Sequence, residues 1–487
     1  MICVYIESEN EVIKKRIRYV MEQLLVPIGY PFTFQAELNS FDNIFTIACI
    51  PENKSDIQSY TQKFDIVIPY GDYNSWLVDD VDIKADKVDD IYVLYIKKTP
   101  EYLIHDGKIG FDLINIVFYL LSRQEEYVYT HRDLWNRFSA TYSILYENGI
   151  LGIPIINYYI KFLASYIQQQ SRQLPEPKWK DGKSFAVVLS HDVDRLSSNY
   201  LSIIINKILR ARKYSNPAST IISSIKELLS FTKSEKWDLS DLTGKEAQFG
   251  FHSTFFIASN TQYRHPDDPH YWINSKLIYK KKKIALNNLA KLLQDEGWEI
   301  GLHGSINSYQ DQDLLSREKE LLIKNTNCSI QGIRQHYLCL DVNKTWQIHE
   351  KLGFRYDTTL GFNERIGFRG GVAFPFNPYN FQTEQKFTLL ELPMTIMDGS
   401  LFSINGEKLD YYKAVQRCNK LFSNIRQTEG LLVINFHPHY YQSVYPEWWA
   451  IYEYILNYLS ESSVWVATGK EIVDWWSERK KKLYITT

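Results

Sequence analysis

The stretch Phe185-Ala-Val-Val-Leu-Ser-His-Asp-Val-Asp194 decides the interpretation of this sequence, because an apolar run ends there in groups that bind metals. Residues 185–189 predict a strand buried on both faces, as in parallel sheets and barrels. Catalytic residues of such folds gather at the carboxyl ends of strands, where a rigid scaffold positions exposed loops. His191, Asp192 and Asp194 are therefore the first candidates for a functional site. A polar turn in which an Asp caps the next helix is the alternative.

The composition is that of a globular protein, and the length predicts two domains. Of the 487 residues, 45% are hydrophobic and 23% are charged, and the chain is too long for one ordinary core. The net charge of -2 gives no electrostatic footprint for nucleic acid. The chain has neither a secretion signal nor a long apolar stretch, so we expect a cytoplasmic protein without a membrane span. Five cysteines without CxxC spacing support neither a disulfide framework nor a cysteine zinc site.

The sequence predicts two regions joined by a polar, proline-containing linker at 168–182. Residues 1–175 alternate short apolar runs with amphipathic segments, which indicates a smaller α/β domain. Residues 176–487 alternate strand and helix over about 300 residues, the size of a (β/α) barrel, with a helical insertion at 196–250. Predicted strands lie at 2–6, 44–50, 64–68, 91–96, 185–189, 253–257, 299–302, 332–334, 389–392 and 431–436. Predicted helices lie at 11–25, 110–132, 155–170, 284–296, 314–325, 344–352 and 411–428.

A charged patch at 122–127 lies at one end of the predicted helix at 110–132. We interpret it as an ion-paired helix end or as a contact between the two domains. The first region contains neither a nucleophile paired with a base nor a glycine-rich phosphate loop. The chemistry of this protein is therefore expected in the second region.

A second cluster of metal-binding residue types follows the strand predicted at 299–302. His303 would supply an imidazole, and Asp194 or Asp192 a carboxylate, to a divalent-metal site. An oxygen of Asn307 or Ser308 could complete three ligands and leave positions open for water and substrate. The alternative is that His303 is a turn histidine without a ligand role.

Two later strand ends carry groups suited to support catalysis. Arg334 ends the strand predicted at 332–334, and a buried Arg beside a carboxylate would hold that carboxylate ionised. His437 follows the apolar run at 431–436 and, if the strands are parallel, faces the same mouth as the metal ligands. It is therefore a candidate general acid. The alternative is that His437 and His439 merely cap the strand.

The order of these pieces resembles the polysaccharide deacetylase superfamily of carbohydrate esterases. Ser190-His-Asp-Val-Asp194 resembles its Thr-Phe-Asp-Asp motif, and Arg334-Gln-His-Tyr337 resembles Arg-x-Pro-Tyr/Phe. Asn435-Phe-His437 is similar to Leu-x-His, and residues 247–257 are similar to the Gly-x-x-(Ala/Ser)-Thr-Phe-Phe strand. Glu299-Ile-Gly-Leu-His303-Gly-Ser-Ile-Asn307-Ser308 resembles Glu-Ile-Gly followed by His-(Ser/Thr)-x-x-(His/Ser).

The resemblance implies a distorted (β/α) TIM-like barrel that removes acetyl groups from N-acetylated sugars with one divalent metal ion. It implies Asp192 as general base and Asp194 as metal ligand, and the swap of these roles stays open because a valine separates them. It implies His303 as a second ligand, Arg334 as the residue that orients the base, and His437 as the acid.

Two positions depart from the motifs of the superfamily. Asn307, with Ser308 beside it, stands where the family has a second histidine. His336 stands where the family has proline and is a further candidate for the site. The pattern looks like a divergent bacterial branch that carries an added N-terminal α/β domain.

The resemblance therefore implies a metal-dependent hydrolase of an N-acetyl group on a sugar or glycan. Zinc is the leading metal, and other divalent ions stay open. One alternative is a barrel that has lost catalysis and binds a glycan through Tyr440, Tyr441, Trp448 and Trp449. Another is a metal-dependent hydrolase of a small or cyclic amide. The oligomeric state is left open.

Overall fold

The computed structural model describes most of the chain. The residues it leaves undescribed are 36–43, 72–82, 97, 172, 197–204, 206–207, 210, 214–216, 219, 223, 226–237, 260–264, 266, 270, 441–445, 462 and 486–487. Most of the insertion predicted at 196–250 thus lies outside the described residues, as does Tyr441. None of the helices in the described part is both long and apolar enough to cross a membrane.

The N-terminal region contains a six-stranded sheet and a separate antiparallel hairpin formed by Ile83–Val88 and Ile91–Ile96. The apolar runs predicted at 2–6, 44–50 and 64–68 form three neighbouring parallel strands of the sheet. In spatial order the six strands are Phe32–Gln35, Ile2–Ile6, Phe45–Pro51, Ile66–Tyr70, Lys108–Ile109 and Ile104–His105. The helices of this region are Glu11–Ile28, Ile57–Thr61, Leu113–Ser122, Gln124–Val128, Ile144–Glu147 and Ile155–Gln170.

The single helix predicted over 110–132 is wrong, because the structure divides it into Leu113–Ser122 and Gln124–Val128. Arg123, between them, has a φ of 59°, in the left-handed region that breaks a helix. Its guanidinium Nε lies 2.9 Å from Glu126 Oε1, and Glu126 Oε2 lies 2.6 Å from Arg369 Nη2. All three side chains are buried, so the charged patch is a contact between the N-terminal region and the barrel.

The second region is a curled parallel sheet, so the predicted α/β fold with a distorted barrel is confirmed. Phe185–Val193 is the central strand, buried along its whole length. In spatial order the strands are Leu390–Glu391, Tyr356–Asp357, Gly332–Gln335, Glu299–Gly304, Thr254–Ala258, Phe185–Val193, Leu431–Asn435 and Ile396–Met397, and Val464–Ala467 also pairs with Phe185–Val193. The helices are Leu239–Gln248, Leu286–Asp295, Gln312–Thr326, Thr345–Lys351, Asp398–Phe402, Tyr411–Thr428, Pro446–Leu459 and Gly469–Leu483.

The two end strands of this sheet, Leu390–Glu391 and Ile396–Met397, are joined by residues 392–395. This segment bridges the gap between the two edges of the curled sheet. The Leu392 N–H donates to the Asp357 carbonyl at 2.8 Å, and the Thr395 N–H donates to the Val433 carbonyl at 2.9 Å. These backbone bonds connect both edges of the open sheet to one short segment. All the strand pairs of the sheet are parallel, so their carboxyl ends open on one mouth.

The N-terminal sheet and the barrel share a continuous hydrophobic core. The Tyr19 hydroxyl donates to the Asn377 carbonyl at 2.8 Å, and the Ile485 N–H donates to the Phe32 carbonyl at 2.9 Å. The chain end is thereby tied to the N-terminal sheet. A boundary between two domains at 175 stays a prediction.

Candidate metal centre and active site

The central strand delivers Asp192 into the barrel because it continues through Val193, beyond the end predicted at 189. Successive side chains of a strand point to opposite faces. Asp192 therefore shares the barrel interior with Asp194, whereas His191 points away from it. His191 lies 2.7 Å from the Phe436 carbonyl through Nδ1 and 2.7 Å from Glu246 Oε1 through Nε2. The structure thus removes His191 from the candidate site and gives it a packing role outside the barrel.

Asp192 is a buried carboxylate held by two donors. Arg334 Nη1 donates to Oδ1 at 2.9 Å, and Asn435 Nδ2 donates to Oδ2 at 2.7 Å. Burial alone would raise the pKa of Asp192, but the positive charge of Arg334 beside it outweighs burial and keeps that pKa below its usual range. Asp192 is therefore ionised at neutral pH.

Arg334 is itself fixed by the barrel interior. Its guanidinium lies 4.5 Å from the centre of the Phe256 ring, and its Nε donates to the Thr358 carbonyl at 3.2 Å. A Cβ atom at Gly301 would lie 2.5 Å from the Phe256 ring, so only glycine leaves room for this ring under the guanidinium. Gly301, in the second motif, thus makes room for the ring that packs on Arg334, in the third motif.

Three groups that can bind a metal ion, on Asp194, His303 and His336, converge beside Asp192. His303 Nε2 lies 3.2 Å from Asp194 Oδ1, and His336 Nε2 lies 3.7 Å from the same oxygen. The three candidate ligand atoms all lie within 4.8 Å of one another. Two imidazoles and one carboxylate are a donor set that binds divalent zinc or iron and leaves positions for water and substrate.

Each imidazole of this cluster is oriented through its other nitrogen. His303 Nδ1 lies 3.0 Å from the Arg334 carbonyl, and His336 Nδ1 lies 3.3 Å from Asp268 Oδ1. Because a carbonyl oxygen can only accept, the Nδ1 of His303 carries a hydrogen, and its Nε2 faces the Asp194 oxygen. Such outer partners are typical of metal-ligating histidines.

The residues of the cluster fit a divalent cation. Asp194 Oδ1 and His303 Nε2 are both buried and have no hydrogen-bond partner among the described residues, although they lie 3.2 Å apart. Burial lowers the pKa of His336, but the Asp194 and Asp268 carboxylates outweigh it and raise that pKa to about 10. The two carboxylates thus favour positive charge at the His336 ring, carried by a proton or by a metal ion.

Of the predicted third ligands, Ser308 is buried and hydrogen-bonded, and Asn307 is exposed. The Ser308 hydroxyl lies 3.0 Å from the Ser305 carbonyl and 3.2 Å from Gln335 Oε1, the two acceptors that share its hydrogen. Asn307 is exposed, at the start of the short turn Ser308–Gln310. The strand pairing sets His303 beside Arg334, so His336, two residues further on, reaches the place expected for these oxygens.

His437 lies on the other side of Asp194. Its Nε2 is 3.4 Å from Asp194 Oδ2, its Nδ1 is 2.6 Å from Asp398 Oδ1, and its backbone N–H donates to Asp398 Oδ2 at 2.8 Å. Burial lowers the pKa of His437, but the charge of Asp398 outweighs it and raises that pKa to about 9. The imidazole is therefore protonated at neutral pH and directs Nε2 toward the cluster.

Sequence reasoning missed three supporting residues, Asp268, Asp398 and Asn435. Asn435 is the first residue of the His437 motif, but the motif assigns it no role of its own. Asp398 follows the strand Ile396–Met397, whose two residues are too few for a recognisable pattern. Asp268 lies in a loop, where sequence spacing gives no signal of proximity.

Residues 4–172 match a family described as a family of unknown function, DUF7033. Comparison with curated proteins gives no match. The matched segment includes most of the N-terminal sheet and the helices that pack against the barrel. Its family description assigns no activity.

Solved structures similar to this chain include a presumed polysaccharide deacetylase from Mycobacterium smegmatis. It is 19% identical, with a TM-score of 0.41, and the match covers 63% of this chain and 95% of that chain. Puue allantoinase is 13% identical over 63% of this chain and 95% of that one, with a TM-score of 0.42. A CE4 family pseudoenzyme from Bacillus anthracis is 12% identical over 65% and 80%, with a TM-score of 0.29.

Proposed function

We propose that this protein hydrolyses a carbon-nitrogen amide bond with one divalent metal ion, and that its substrate carries an N-acetyl group on a sugar or glycan. The observation that carries the metal site is the buried contact of Asp194 Oδ1 with His303 Nε2 at 3.2 Å, with His336 as the third ligand. The resemblance of the motifs to polysaccharide deacetylases supports the acetylated sugar. Zinc is the ion we propose.

The residues in and around the cluster have three separate roles in this reaction: metal binding, general base and general acid. A divalent ion bound by Asp194, His303 and His336 would lower the pKa of a water molecule and polarise an amide carbonyl. Asp192, kept ionised by Arg334, takes the proton of the attacking water as general base. His437 gives its Nε2 proton to the departing amine nitrogen, which is a poor leaving group without an acid.

The glycan-binding alternative depends on an aromatic platform at Tyr440, Trp448 and Trp449. Trp448 is only 8% exposed, and its ring lies 4.1 Å from the Tyr440 ring and 5.4 Å from the Phe402 ring. Trp449 packs on Tyr452 at 5.1 Å. These contacts favour a packing role for the aromatic residues over a sugar-stacking surface.

The proposal is tested by metal content and by substrate screening. Elemental analysis of purified protein should find about one divalent ion per chain, and His303→Ala and His336→Ala should each lower that content. Ser308→Ala is the matched control, because its hydroxyl bonds to Ser305 and Gln335, and its metal content should be unchanged. Normal occupancy in both histidine variants would rule out this metal site.

The screen should compare N-acetylated sugars, their oligomers and small cyclic amides on metal-loaded protein. Acetate release from an N-acetylated sugar supports the proposal. Hydrolysis of cyclic amides alone would select the alternative substrate class. Metal binding without hydrolysis of any amide would instead support a barrel that binds glycans without catalysis, which sugar binding by calorimetry then checks.

A further inference from the structure

The turn that carries His336 has an unusual backbone. Tyr337 and Leu338, the two residues after His336, have φ angles of 57° and 56°. This left-handed region is unfavourable for residues with a side chain, and consecutive residues adopt it only when their surroundings enforce it. The contacts of Tyr337 therefore bear on the position of His336.

These contacts come from residues 133–137 of the N-terminal region. Arg137 Nη1 donates to the Tyr337 carbonyl at 2.9 Å. The Trp135 ring stacks on the Tyr337 ring with their centres 5.2 Å apart and 21° between their planes. The Arg137 guanidinium lies 4.9 Å from the centre of the Trp135 ring and 5.7 Å from that of Tyr337.

Asp133 organises this segment before it meets the barrel. Its Oδ1 accepts the backbone N–H groups of Trp135 and Arg137 at 2.9 Å each, and its Oδ2 accepts Arg137 Nε at 2.7 Å. Both oxygens are thus used to fix one turn of the chain. The segment is preorganised, which reduces the conformational entropy that Trp135 and Arg137 lose on contact with Tyr337.

A second bond anchors the segment to the same mouth of the barrel. Asn136 Nδ2 donates to the Tyr309 hydroxyl at 2.9 Å, and Tyr309 packs with Cys339 beneath Trp135 and Tyr337. The segment therefore covers the turn after Gly332–Gln335, the strand that carries Arg334. No sequence pattern predicts this contact, because residues 133–137 and the turn of His336 are far apart in the chain; Arg137 and Tyr337 are separated by 200 positions.

We propose that the segment 133–137 is a part of the metal centre, in which Arg137 and Trp135 act as positioning residues for His336. Arg137 holds the Tyr337 carbonyl, and Trp135 holds the Tyr337 ring, so that the left-handed turn keeps His336 Nε2 directed at Asp194. The region matched to the family of unknown function would then complete the site of the barrel. This inference rests on the proposed metal site and adds to it a source of metal affinity outside the barrel.

The experiment uses the full chain, freed of metal and titrated with Co²⁺, whose visible absorption reports the ligand set. Arg137→Met should weaken Co²⁺ binding by about tenfold, the lower end of the effect of losing a direct outer partner of a ligand, because Arg137 acts on His336 through Tyr337. It should also alter the absorption bands, because His336 is no longer held in place. A role in global folding alone would leave the bands of the bound ion unchanged.

Arg132→Met is the matched control. Arg132 lies in the same part of the chain, but its guanidinium donates to the carbonyls of Tyr129, His131 and Glu126, all within the N-terminal region. Its Co²⁺ affinity and spectrum should match those of the unaltered protein. Equal loss in the two variants, or no change in Arg137→Met, would overturn the inference.

Two further outcomes separate this inference from the proposed function. If Arg137→Met does not fold, Trp135→Leu, which retains Arg137, takes its place in the titration under the same criteria. If the unaltered protein binds no Co²⁺, both the metal site and the inference are overturned. If it binds Co²⁺ normally but hydrolyses no amide, only the proposed reaction fails, and the titration of the variants still decides the role of residues 133–137.

Discussion

The Nδ1 atom of His437 lies 2.6 Å from Oδ1 of Asp398, and the other oxygen of that carboxylate accepts the backbone N–H of His437 at 2.8 Å. Both contacts fix the imidazole with Nε2 toward Asp194. In this geometry a carboxylate can hold an imidazole in place as a proton donor.

His437→Ala should distinguish substrates by their leaving groups. An amine needs a proton to depart, whereas an activated phenol needs little help, so the variant should lose on the order of 10²-fold activity on an amide and much less on an aryl acetate. His439→Ala should be milder on both. Equal losses on the two substrates, with metal content intact, would contradict proton donation by His437.

Asp398→Asn should move the alkaline limb of the pH-rate profile to lower pH. The Asp398 carboxylate, acting against burial, raises the pKa of His437 to about 9, so its neutralisation lowers that pKa. The acid form of His437 is then lost at a lower pH. The profile should be measured on an amide substrate, and an alkaline limb that stays in place would show that it belongs to another group.

Arg334→Met should move the acidic limb of the same profile to higher pH. The charge of Arg334 is the strongest of the effects that lower the pKa of Asp192 against burial. Without it the base is protonated at a higher pH, so activity is lost earlier as the solution is acidified. Arg334→Lys keeps the charge and should shift the limb less. Reduced activity with an unmoved limb would assign Arg334 to structure or substrate.

Glu318→Gln should remove a pH dependence of stability. Burial raises the pKa of Glu318 to about 7, above the value of 4.5 for an unperturbed Glu. Between these values the folded state binds more protons than the unfolded state, so stability falls as pH rises through this window. The variant should lose this fall, on the order of 2 kcal/mol, in urea unfolding at pH 5 and pH 8. The exposed Glu320→Gln on the same helix should retain it.

Limited proteolysis should cut the native chain within 168–182, where Leu174 is 82% exposed. Two points resist cutting, because Trp179 is buried and Arg479 Nη1 donates to the Pro177 carbonyl. The two fragments should co-elute in size-exclusion chromatography, since the hydrophobic core is continuous across both regions. Cutting only inside the barrel would contradict the boundary predicted at 175, and separation of the fragments would contradict the shared core.

The fold and part of the site could be predicted because they follow from local sequence patterns, namely apolar runs and the polar residues at their ends. Apolar runs of strand length gave the central strand and its neighbours, and polar residues at their ends gave Asp192, Asp194, His303, Arg334 and His437. The structure brings these five together at one mouth. Their roles in catalysis and metal binding stay predictions.

His336, which we propose as the third ligand, could not be chosen from the sequence. Ser308 and Asn307 stand where a family histidine stands, yet hydrogen bonds turn Ser308 away, and the register of neighbouring strands brings His336 to Asp194. Strand register and turn geometry depend on contacts between distant segments. The residue types of one segment do not predict those contacts.

By itself the sequence determined the parallel sheet, the mouth that its strands share and most of the groups that meet there, because periodicity and strand ends are local properties. Only the tertiary structure decided which of those groups touch. It paired His191 with Phe436 and Glu246 outside the barrel, set Asp398 behind His437, and placed Trp135 and Arg137 against the turn of His336. These relationships join residues that are far apart in the chain, and packing alone brings them together.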